Sequence, residues 1–220
     1  RGLGRACAEG LADAGARVIA VARSADELAE VEAHESGRVE TWTADVTDDA
    51  FIDRIAALDG LSILVNNAGG NRPQPFVDVD SESLDFILNL NVRAAFRVAQ
   101  AAAKAMLRAG NGGSIVHMSS QMGHVGSPKR SVYCMTKHAI EGLTKAMAVE
   151  LAPDGVRVNA VAPTFVETPL TRPMLISGAP NRSLRSAPPF SLMTMETMCR
   201  PLPGRVDAIA ADRITTRRRS

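Results

Sequence analysis

Tyr133 and Lys137 form a Y-x-x-x-K pair in a stretch that the sequence pattern predicts to be helical. Side chains at positions i and i+4 of a helix lie on one face, one turn apart. An ammonium about 4 Å from a phenol, at an effective dielectric near 20, favours the phenolate by about 4 kcal/mol, or roughly three pKa units. We therefore expect Lys137 to lower the pKa of Tyr133 towards neutrality, where a general acid or base works best. Because isolated pairs of this kind are common by chance, their context must decide.

The context consists of further polar residues that follow predicted strands. Ser120 stands thirteen residues before Tyr133, just after a predicted strand at 114–118. An N-N-A-G run, Asn66 to Gly69, ends the preceding strand, and Asn91 lies in an L-N-L-N-V segment. A Ser–His hydrolase is the rival use of such a serine. The sequence has no G-x-S-x-G nucleophile elbow, and its Gly-Gly-Ser run at 112–114 leads into a strand instead of a helix.

Strands and helices alternate along most of the chain. Short apolar runs predict strands at 17–22, 39–44, 61–65, 114–118 and 157–162. Amphipathic or Ala-rich stretches predict helices at 3–14, 25–34, 49–58, 81–91, 92–109 and 132–151. This order predicts an α/β fold with a Rossmann-type doubly wound parallel sheet in three α/β/α layers. Ligands of such a sheet bind at the carboxyl ends of its strands, where the polar residues above are found.

These motifs together resemble the short-chain dehydrogenase/reductase family. The matching segments, in the family's order, are G-L-G, D-V, N-N-A-G, the Asn of the fourth helix, S-x12-Y-x3-K and R-V-N-A-V-A-P. The resemblance covers residues 1 to about 174 and implies that a central first strand and a last strand are missing from the chain. It looks nearest to the NADPH-dependent L-xylulose/carbonyl reductase branch, through Pro-Thr at 163–164 and the S-V-Y-C and A-R-V-I-A-V-A-R segments.

The resemblance implies a catalytic role for each of four residues. Tyr133 would protonate a carbonyl oxygen, or accept the alcohol proton in the reverse direction. Ser120 would hydrogen-bond that oxygen as charge develops on it. Lys137 would lower the pKa of Tyr133 and hold the ribose of the nicotinamide, and Asn91 would fix a water that connects Lys137 to solvent. Ser119 is an adjacent candidate, but the thirteen-residue interval selects Ser120. Without the other motifs, Asn91 would be interpreted as an asparagine that interrupts a helix and has no catalytic role.

The cofactor expected is NADP(H), with NAD(H) less favoured. No acid directly follows the strand at 17–22; Arg23 and Ser24 stand there, and a guanidinium can bind a phosphate in a bidentate manner. Asp45 would contact the adenine or cap the helix at 49–58. The cofactor residues implied by the resemblance are Arg1, Gly2, Leu3, Gly4, Arg23, Ser24, Asp45, Val46, Asn66, Ala68, Gly69, Tyr133, Lys137, Pro163, Val166 and Thr168.

Composition limits the other possibilities. A chain of 220 residues with 45% hydrophobic residues suits one globular domain, here residues 1–174. Residues 175–220 contain eight Arg against three acids and are predicted to be an atypical, poorly ordered tail, with a helix only at 206–214. Three scattered cysteines and no metal-type histidine spacing predict a cytoplasmic protein without a metal. No apolar run is long enough to span a membrane, and the mildly acidic body gives no reason to expect nucleic acid.

The expected substrate is a small carbonyl compound or secondary alcohol. Gln121, His124, Asn71 and Arg72 would suit a polar, hydroxylated one, although all four could simply be solvated loop residues. The helices at 92–109 and 132–151 resemble the pair that buries apolar faces between subunits in members of the family. The resemblance therefore implies a homodimer or homotetramer. Two alternatives remain: a catalytically impaired nucleotide-binding fragment, and a nucleic-acid binder through the terminal Arg217–Arg219 run, which is usually just solvated.

Overall fold

The computed structural model describes residues 2–33, 37–164, 166 and 207–211. The strands are β1 (Arg17–Ala22), β2 (Val39–Thr43), β3 (Leu61–Asn66), β4 (Gly113–Met118), β5 (Val156–Val161) and β6 (Asp207–Ala211). The α-helices are α1 (Gly2–Asp13), α2 (Ala25–Glu32), α3 (Asp49–Ala56), α4 (Ser81–Leu88), α5 (Ala95–Ala109) and α6 (Ser131–Leu151). A π-helical turn, Asn89–Ala94, joins α4 to α5, and short 3₁₀ turns lie at Phe76–Asp78, Gln121–Gly123 and Ala152–Asp154.

The six strands form one parallel sheet in the order β2-β1-β6-β3-β4-β5. One hydrophobic cluster holds α1 and α2 against the sheet, and a second holds α3 and α5, with residues of α6 packed at its margin. The sheet therefore lies between two helical layers, and the predicted Rossmann-type α/β/α fold is confirmed. Every strand points the same way, so the segments that follow β1, β3 and β4 meet at one edge.

Helix α5 shows how the sequence sets its own boundaries. Its buried stripe is almost entirely alanine, which has the highest helix propensity and allows close packing on the sheet. The helix ends at Ala109 because Gly110 adopts a left-handed φ of 68°, and the Gly110 amide donates to the Met106 carbonyl at 3.1 Å. A side chain at Gly113, where β4 begins, would collide with the Met106 sulfur. Small residues thus bring α5 close to the start of β4.

Strand β6 corrects the expectation of a helix at 206–214. Asp207–Ala211 lies between β1 and β3 and pairs in parallel with both. The place it occupies is central in the sheet, and the resemblance implied that a central strand was missing. The backbone of β6 supplies hydrogen-bond partners to β1 on one side and to β3 on the other. This tertiary gain outweighs the local preference of an Ala-rich segment for helix. The rest of the predicted tail, 175–206 and 212–220, lies outside the described residues.

No helix among the described residues has both the length and the apolar character needed to cross a bilayer. The same residues contain no group of three or more His, Cys, Asp or Glu side chains arranged to hold a metal ion.

We expect Ile209→Ala to lower the free energy of unfolding by about 2–5 kcal/mol, because Ile209 is fully buried in the larger core cluster. Ile209→Val, which removes one methylene, should lower it by only about 0.5–1.5 kcal/mol. Urea denaturation of the wild type and both variants measures this series. A loss below about 0.5 kcal/mol for the alanine variant would show that β6 does not belong to the core.

Candidate active site

Three of the four predicted catalytic side chains meet where α6 passes the carboxyl end of β4. Tyr133 and Lys137 lie on the same face of α6, with the Lys137 Nζ 5.6 Å from the centre of the Tyr133 ring. Ser120 lies close enough to Tyr133 to lower the pKa of its phenol. The structure therefore brings together the residues that the thirteen-residue and four-residue intervals predicted.

Ser120 is held by the backbone around it. The Ser119 amide donates to the Val161 carbonyl at 2.8 Å, and the Gln121 amide donates to the Pro163 carbonyl at 3.0 Å, so this segment is fastened to the end of β5. Ser120 is the N-cap of the following 3₁₀ turn, and its hydroxyl oxygen accepts from the Met122 amide at 3.2 Å. With its oxygen accepting from Met122, the hydroxyl can direct its proton towards another acceptor.

Lys137 is a buried cation. Its side chain lies in the interior, and the Nζ donates to the Met118 carbonyl, the last residue of β4, at 2.6 Å. Burial lowers the pKa of Lys137 to about 8, while the nearby Glu141 carboxylate acts in the opposite direction. An ammonium with such a pKa is close to exchanging its proton at neutral pH.

The predicted electrostatic effect of Lys137 on Tyr133 is corrected by the structure. Burial raises the pKa of Tyr133 above its usual value, and Ser120 and the charge of Arg130 oppose this only in part. The Lys137 ammonium lies off the ring at 5.6 Å and donates to a backbone carbonyl. Desolvation is therefore the largest influence on the pKa of the phenol, and Tyr133 is protonated at neutral pH.

Asn91 ties the loop after β3 to α6. It lies in the π-helical turn, a widened geometry that is frequent at functional sites. Its Oδ1 accepts from the Gly70 amide at 2.8 Å, and its Nδ2 donates to the Gly70 carbonyl at 2.9 Å and to the Thr136 hydroxyl at 3.1 Å. A Cβ at Gly69 would lie 3.4 Å from the Asn91 Oδ1 and 3.7 Å from the Lys137 Nζ. Asn91 and Lys137 therefore lie against the same glycine of the N-N-A-G segment.

Asn66 is buried at the end of β3. Its amide is buried and donates to the Ala95 carbonyl at 2.7 Å, and it lies 3.4 Å from the Nδ1 of His117. The side chain thus joins β3 to α5 and β4 inside the protein. Ala68 and Gly69, which follow it, lie beyond the end of β3 as predicted.

His117 is a buried titratable group that the sequence reasoning did not single out. It is 1% exposed, and its Nε2 has no hydrogen-bond partner among the residues that the structure describes. Burial lowers the pKa of His117 to about 4, and the charge of Lys137 acts in the same direction. The imidazole is therefore neutral at neutral pH. The pattern S-I-V-H-M reads as an ordinary buried strand, so spacing alone contains no signal for it.

The predicted dinucleotide residues lie at the ends of β1 and β2 and at the start of α1. Gly2, with a φ of 63°, opens α1, and Gly4 is buried. The guanidinium Nη1 of Arg23 lies 3.9 Å from the Oδ2 of Asp45. A glycine-rich helix start and a cation at the strand ends suit the pyrophosphate and the adenosine end of a dinucleotide, so these residues fit the predicted cofactor.

Ser24 and Asp45 also serve the local fold. The Ser24 hydroxyl caps α2 by accepting from the Glu27 amide at 3.4 Å. Asp45 Oδ1 accepts from the Thr47 amide at 3.0 Å and from its hydroxyl at 2.8 Å, which closes the turn before α3. The N-cap position of α3 is taken by Asp48 and not by Asp45.

The remaining predicted residues are distributed along the same edge. Leu3 lies in the first turn of α1, Val46 is buried after β2, and Pro163 and the exposed Val166 follow β5. Arg1 and Thr168 lie outside the described residues. Of the substrate candidates, Arg72 pairs with Glu82 at 3.1 Å and stacks over the Phe86 ring at 4.1 Å, so it stabilises its loop.

Comparisons with known proteins agree with this geometry. A sequence model of the family described as short chain dehydrogenase matches residues 1–176. The chain belongs to the short-chain dehydrogenase family. It is therefore an oxidoreductase that acts on alcohol or carbonyl groups with a nicotinamide cofactor.

Two curated relatives and one solved structure illustrate the similarity. L-xylulose reductase from Bos taurus is 42% identical over 171 residues, which cover 77% of this chain and 70% of that protein. Carbonyl reductase (NADPH) 2 from Sus scrofa is 37% identical over 191 residues, 86% of this chain and 78% of that protein. A gluconate 5-dehydrogenase from Burkholderia cenocepacia, crystallised with NADP and tartrate, is 32% identical with a TM-score of 0.74; the match covers 81% of this chain and 73% of that one. The resemblance to the L-xylulose/carbonyl reductase branch is confirmed.

We expect the stability of the protein to fall in mild acid because of His117. Its folded pKa of about 4 lies below the unfolded value of about 6.5, so its contribution is complete above pH 6.5 and is lost as the pH falls towards 4. Between pH 7.5 and pH 5 the loss from this group should be about 2 kcal/mol. Urea denaturation at both pH values measures it, and His117→Asn, which cannot titrate, should remove that part. An equal loss in the wild type and the variant would contradict the assignment to His117.

Proposed function

We propose that this protein is an NADP(H)-dependent oxidoreductase that interconverts a small carbonyl compound and the corresponding secondary alcohol. The observation that carries the proposal is the cluster of Ser120, Tyr133 and Lys137 at the carboxyl end of β4, in a chain of the short-chain dehydrogenase family. Arg23, at the end of β1, supports the choice of NADP(H) over NAD(H).

The protonated phenol of Tyr133 donates its proton to the carbonyl oxygen in the reductive direction. Ser120 hydrogen-bonds to the same oxygen and stabilises the charge that develops on it. The nicotinamide, when bound, supplies or takes up the hydride. Lys137 holds positive charge beside the phenol and can replace the proton that Tyr133 gives up, since its pKa of about 8 is close to neutrality.

Asn91 positions this machinery in the proposal. Its side chain fastens the loop after β3 to α6 through Gly70 and Thr136. The Asn91 Oδ1 accepts one hydrogen bond from the protein, and a carbonyl oxygen has two lone pairs. We infer that the second one holds the water that connects Lys137 to solvent.

The cofactor preference rests on charge at the ends of β1 and β2. The Arg23 guanidinium can bind the 2′-phosphate of NADP in a bidentate manner, whereas an acid in its place would favour the free ribose. Asp45, 3.9 Å away, holds Arg23 at this edge. Two comparisons point the same way, since one relative is named for NADPH and one solved structure contains NADP.

The residues proposed to hold the cofactor form one edge of the sheet. They are Gly2, Leu3, Gly4, Arg23, Ser24, Asp45, Val46, Ala68, Gly69, Tyr133, Lys137, Pro163 and Val166, with Arg1 and Thr168 beyond the described residues.

For the substrate we propose a polar, hydroxylated ketone. Gln121 and the half-exposed His124 lie one and four residues after Ser120. The Gln74 amide donates to the Lys129 carbonyl at 3.0 Å, which joins the loop after Ser120 to the loop that contains Asn71 and Arg72. Relatives named L-xylulose reductase and D-erythrulose reductase agree with this class. We also propose a homodimer or homotetramer, because α5 and α6 expose Phe96, Leu107, Met135 and Val149.

We expect Tyr133→Phe and Ser120→Ala each to lower kcat/KM by about 100-fold or more, since each removes a group that acts on the reacting oxygen. Ser119→Ala is the matched control. The Ser119 hydroxyl is buried without a hydrogen-bond partner among the described residues, so its loss should leave turnover unchanged. NADPH oxidation with diacetyl and with a ketose measures all three variants. NADPH binding without turnover, unaffected by Tyr133→Phe, would instead favour a nucleotide-binding module.

We expect Arg23→Asp to weaken NADPH binding by about 10- to 100-fold, the equivalent of one lost charge-assisted hydrogen bond, and to reverse the preference for NADPH over NADH. Fluorescence titration with both nucleotides measures the two affinities. Arg157→Asp is the matched control, because Arg157 lies near the start of β5 and the site lies where the strands end. It makes the same change of charge and should leave both affinities unchanged. Equal affinities for NADPH and NADH in the wild type would contradict the cofactor assignment.

A further inference from the structure

The 3₁₀ turn after Ser120 packs directly on α6. A Cβ at Gly123 would lie 2.8 Å from the Ser119 Oγ, 3.1 Å from the Glu141 Cγ and 3.1 Å from the Lys137 carbonyl oxygen. Contacts below 3.0 Å are essentially absent for real Cβ atoms, so no side chain fits at this position. The turn that begins with Ser120 is therefore in near contact with the backbone of the helix that carries Tyr133 and Lys137.

A pair of side chains closes this contact on its outer side. The Nε2 of His124, the residue after Gly123, lies 3.3 Å from the Oε1 of Glu141. The Glu141 side chain is only 14% exposed, and its Oε1 forms no well-aligned hydrogen bond with the described residues. A buried carboxylate oxygen in this state is costly unless a donor faces it, and the ring nitrogen of His124 is placed to provide that donor.

Glu141 also lies one helical turn after Lys137, whose ammonium is buried. Tyr133, Lys137 and Glu141 are spaced four residues apart and follow one face of α6. The groups that act electrostatically on one another here are Lys137, Glu141 and the neutral His117 of β4, with Arg130 acting on Tyr133 from the start of the helix. Among these, Glu141 supplies the negative charge. Its carboxylate raises the pKa of Lys137 against the effect of burial.

We propose that Glu141 is a positioning residue of this active site: it holds the Ser120 turn against α6 through His124 and stabilises the charge of Lys137. The inference rests on the proposed function, because it assigns Glu141 to the support of Ser120 and Lys137. Glu141 acts through these two residues and does not contact the substrate. An ion pair that stabilises only the fold is the alternative, and it predicts no change in the titration of Lys137.

The first test measures the titration of Lys137 directly. In protein with ¹³C-labelled lysine, the Lys137 Cε resonance is assigned by its loss in Lys137→Met, and its midpoint is followed by NMR. Glu141→Gln should move the midpoint to lower pH by about half a unit or more, because the carboxylate that favours the ammonium is gone. Glu141→Asp, which keeps the charge, should restore most of the shift. Glu150→Gln, an exposed site on the same helix, should have no effect.

The second test separates the two contacts of Glu141 kinetically. With NADPH and diacetyl, Glu141→Gln should lower kcat by about 10-fold with little change in KM, since a misplaced Ser120 stabilises the reacting oxygen poorly. The alkaline limb of its kcat profile should move to lower pH with the Lys137 midpoint. His124→Asn should lower kcat without moving that limb, and the double variant should be no slower than Glu141→Gln.

The two tests distinguish failure of this inference from failure of the proposed function. If the wild type binds NADPH but reduces neither diacetyl nor a ketose, the proposed function fails, and the Lys137 titration still decides the role of Glu141. A Lys137 midpoint and a kcat profile that are the same in the wild type and Glu141→Gln would overturn the inference, even if the variant unfolds at a lower temperature.

Discussion

The active-site edge is organised around one buried positive charge. Lys137 is 5% exposed, and a buried ammonium is stable only where the protein replaces the water it has lost. The Lys137 Nζ donates to the Met118 carbonyl at 2.6 Å, so α6 must pass directly over the carboxyl end of β4. Tyr133, one turn earlier on the same face, is thereby carried to the segment that begins with Ser120. The loop after β3 also comes close to this charge, since a Cβ at Gly69 would lie 3.7 Å from the Lys137 Nζ.

A second set of contacts keeps this edge rigid from the side of β3. Asn91 uses both ends of its amide, on Gly70 and Thr136, to join the loop after β3 to α6. It can do so because the π-helical turn between α4 and α5 turns the side chain inward, where it is 2% exposed. Behind it, Asn66 bonds to Ala95 and lies next to His117. Amide side chains thus join β3, α5, β4 and α6, in addition to the apolar packing between them.

Much of the fold and of the site could be predicted from the sequence. Strands β1 to β5 and helices α1 to α6 were predicted to within a few residues, because their periodicity is strong and Gly110 and similar residues mark their ends. Ser120, Tyr133 and Lys137 came from intervals along the chain, which a helix and a strand end translate directly into proximity. For residues 206–214 the sequence pattern suggested a helix. Asp207–Ala211 is instead a strand because it pairs with β1 and β3, and such distant pairing cannot be read from a local pattern.

The properties that could not be predicted depend on burial. Spacing placed the Lys137 ammonium near Tyr133, but the pKa of Tyr133 follows from how much water the fold removes from the phenol and from where the ammonium points. His117 gives the same lesson, since one histidine in an apolar strand carries no sign that its pKa falls to about 4. Proximity can be predicted from the chain, whereas desolvation is a property of the packed molecule.

These burial effects together determine the protonation states of Tyr133, Lys137 and His117 at neutral pH. Burial favours the uncharged form of each group, and it acts on Tyr133, Lys137 and His117 alike. His117, without a carboxylate to oppose the effect, is neutral, and Tyr133 keeps its proton. Lys137 remains close to its charged form because a carbonyl accepts from it and a nearby carboxylate raises its pKa. In the proposed function, a protonated phenol next to a weakly acidic ammonium can donate a proton to a carbonyl oxygen and then be reprotonated.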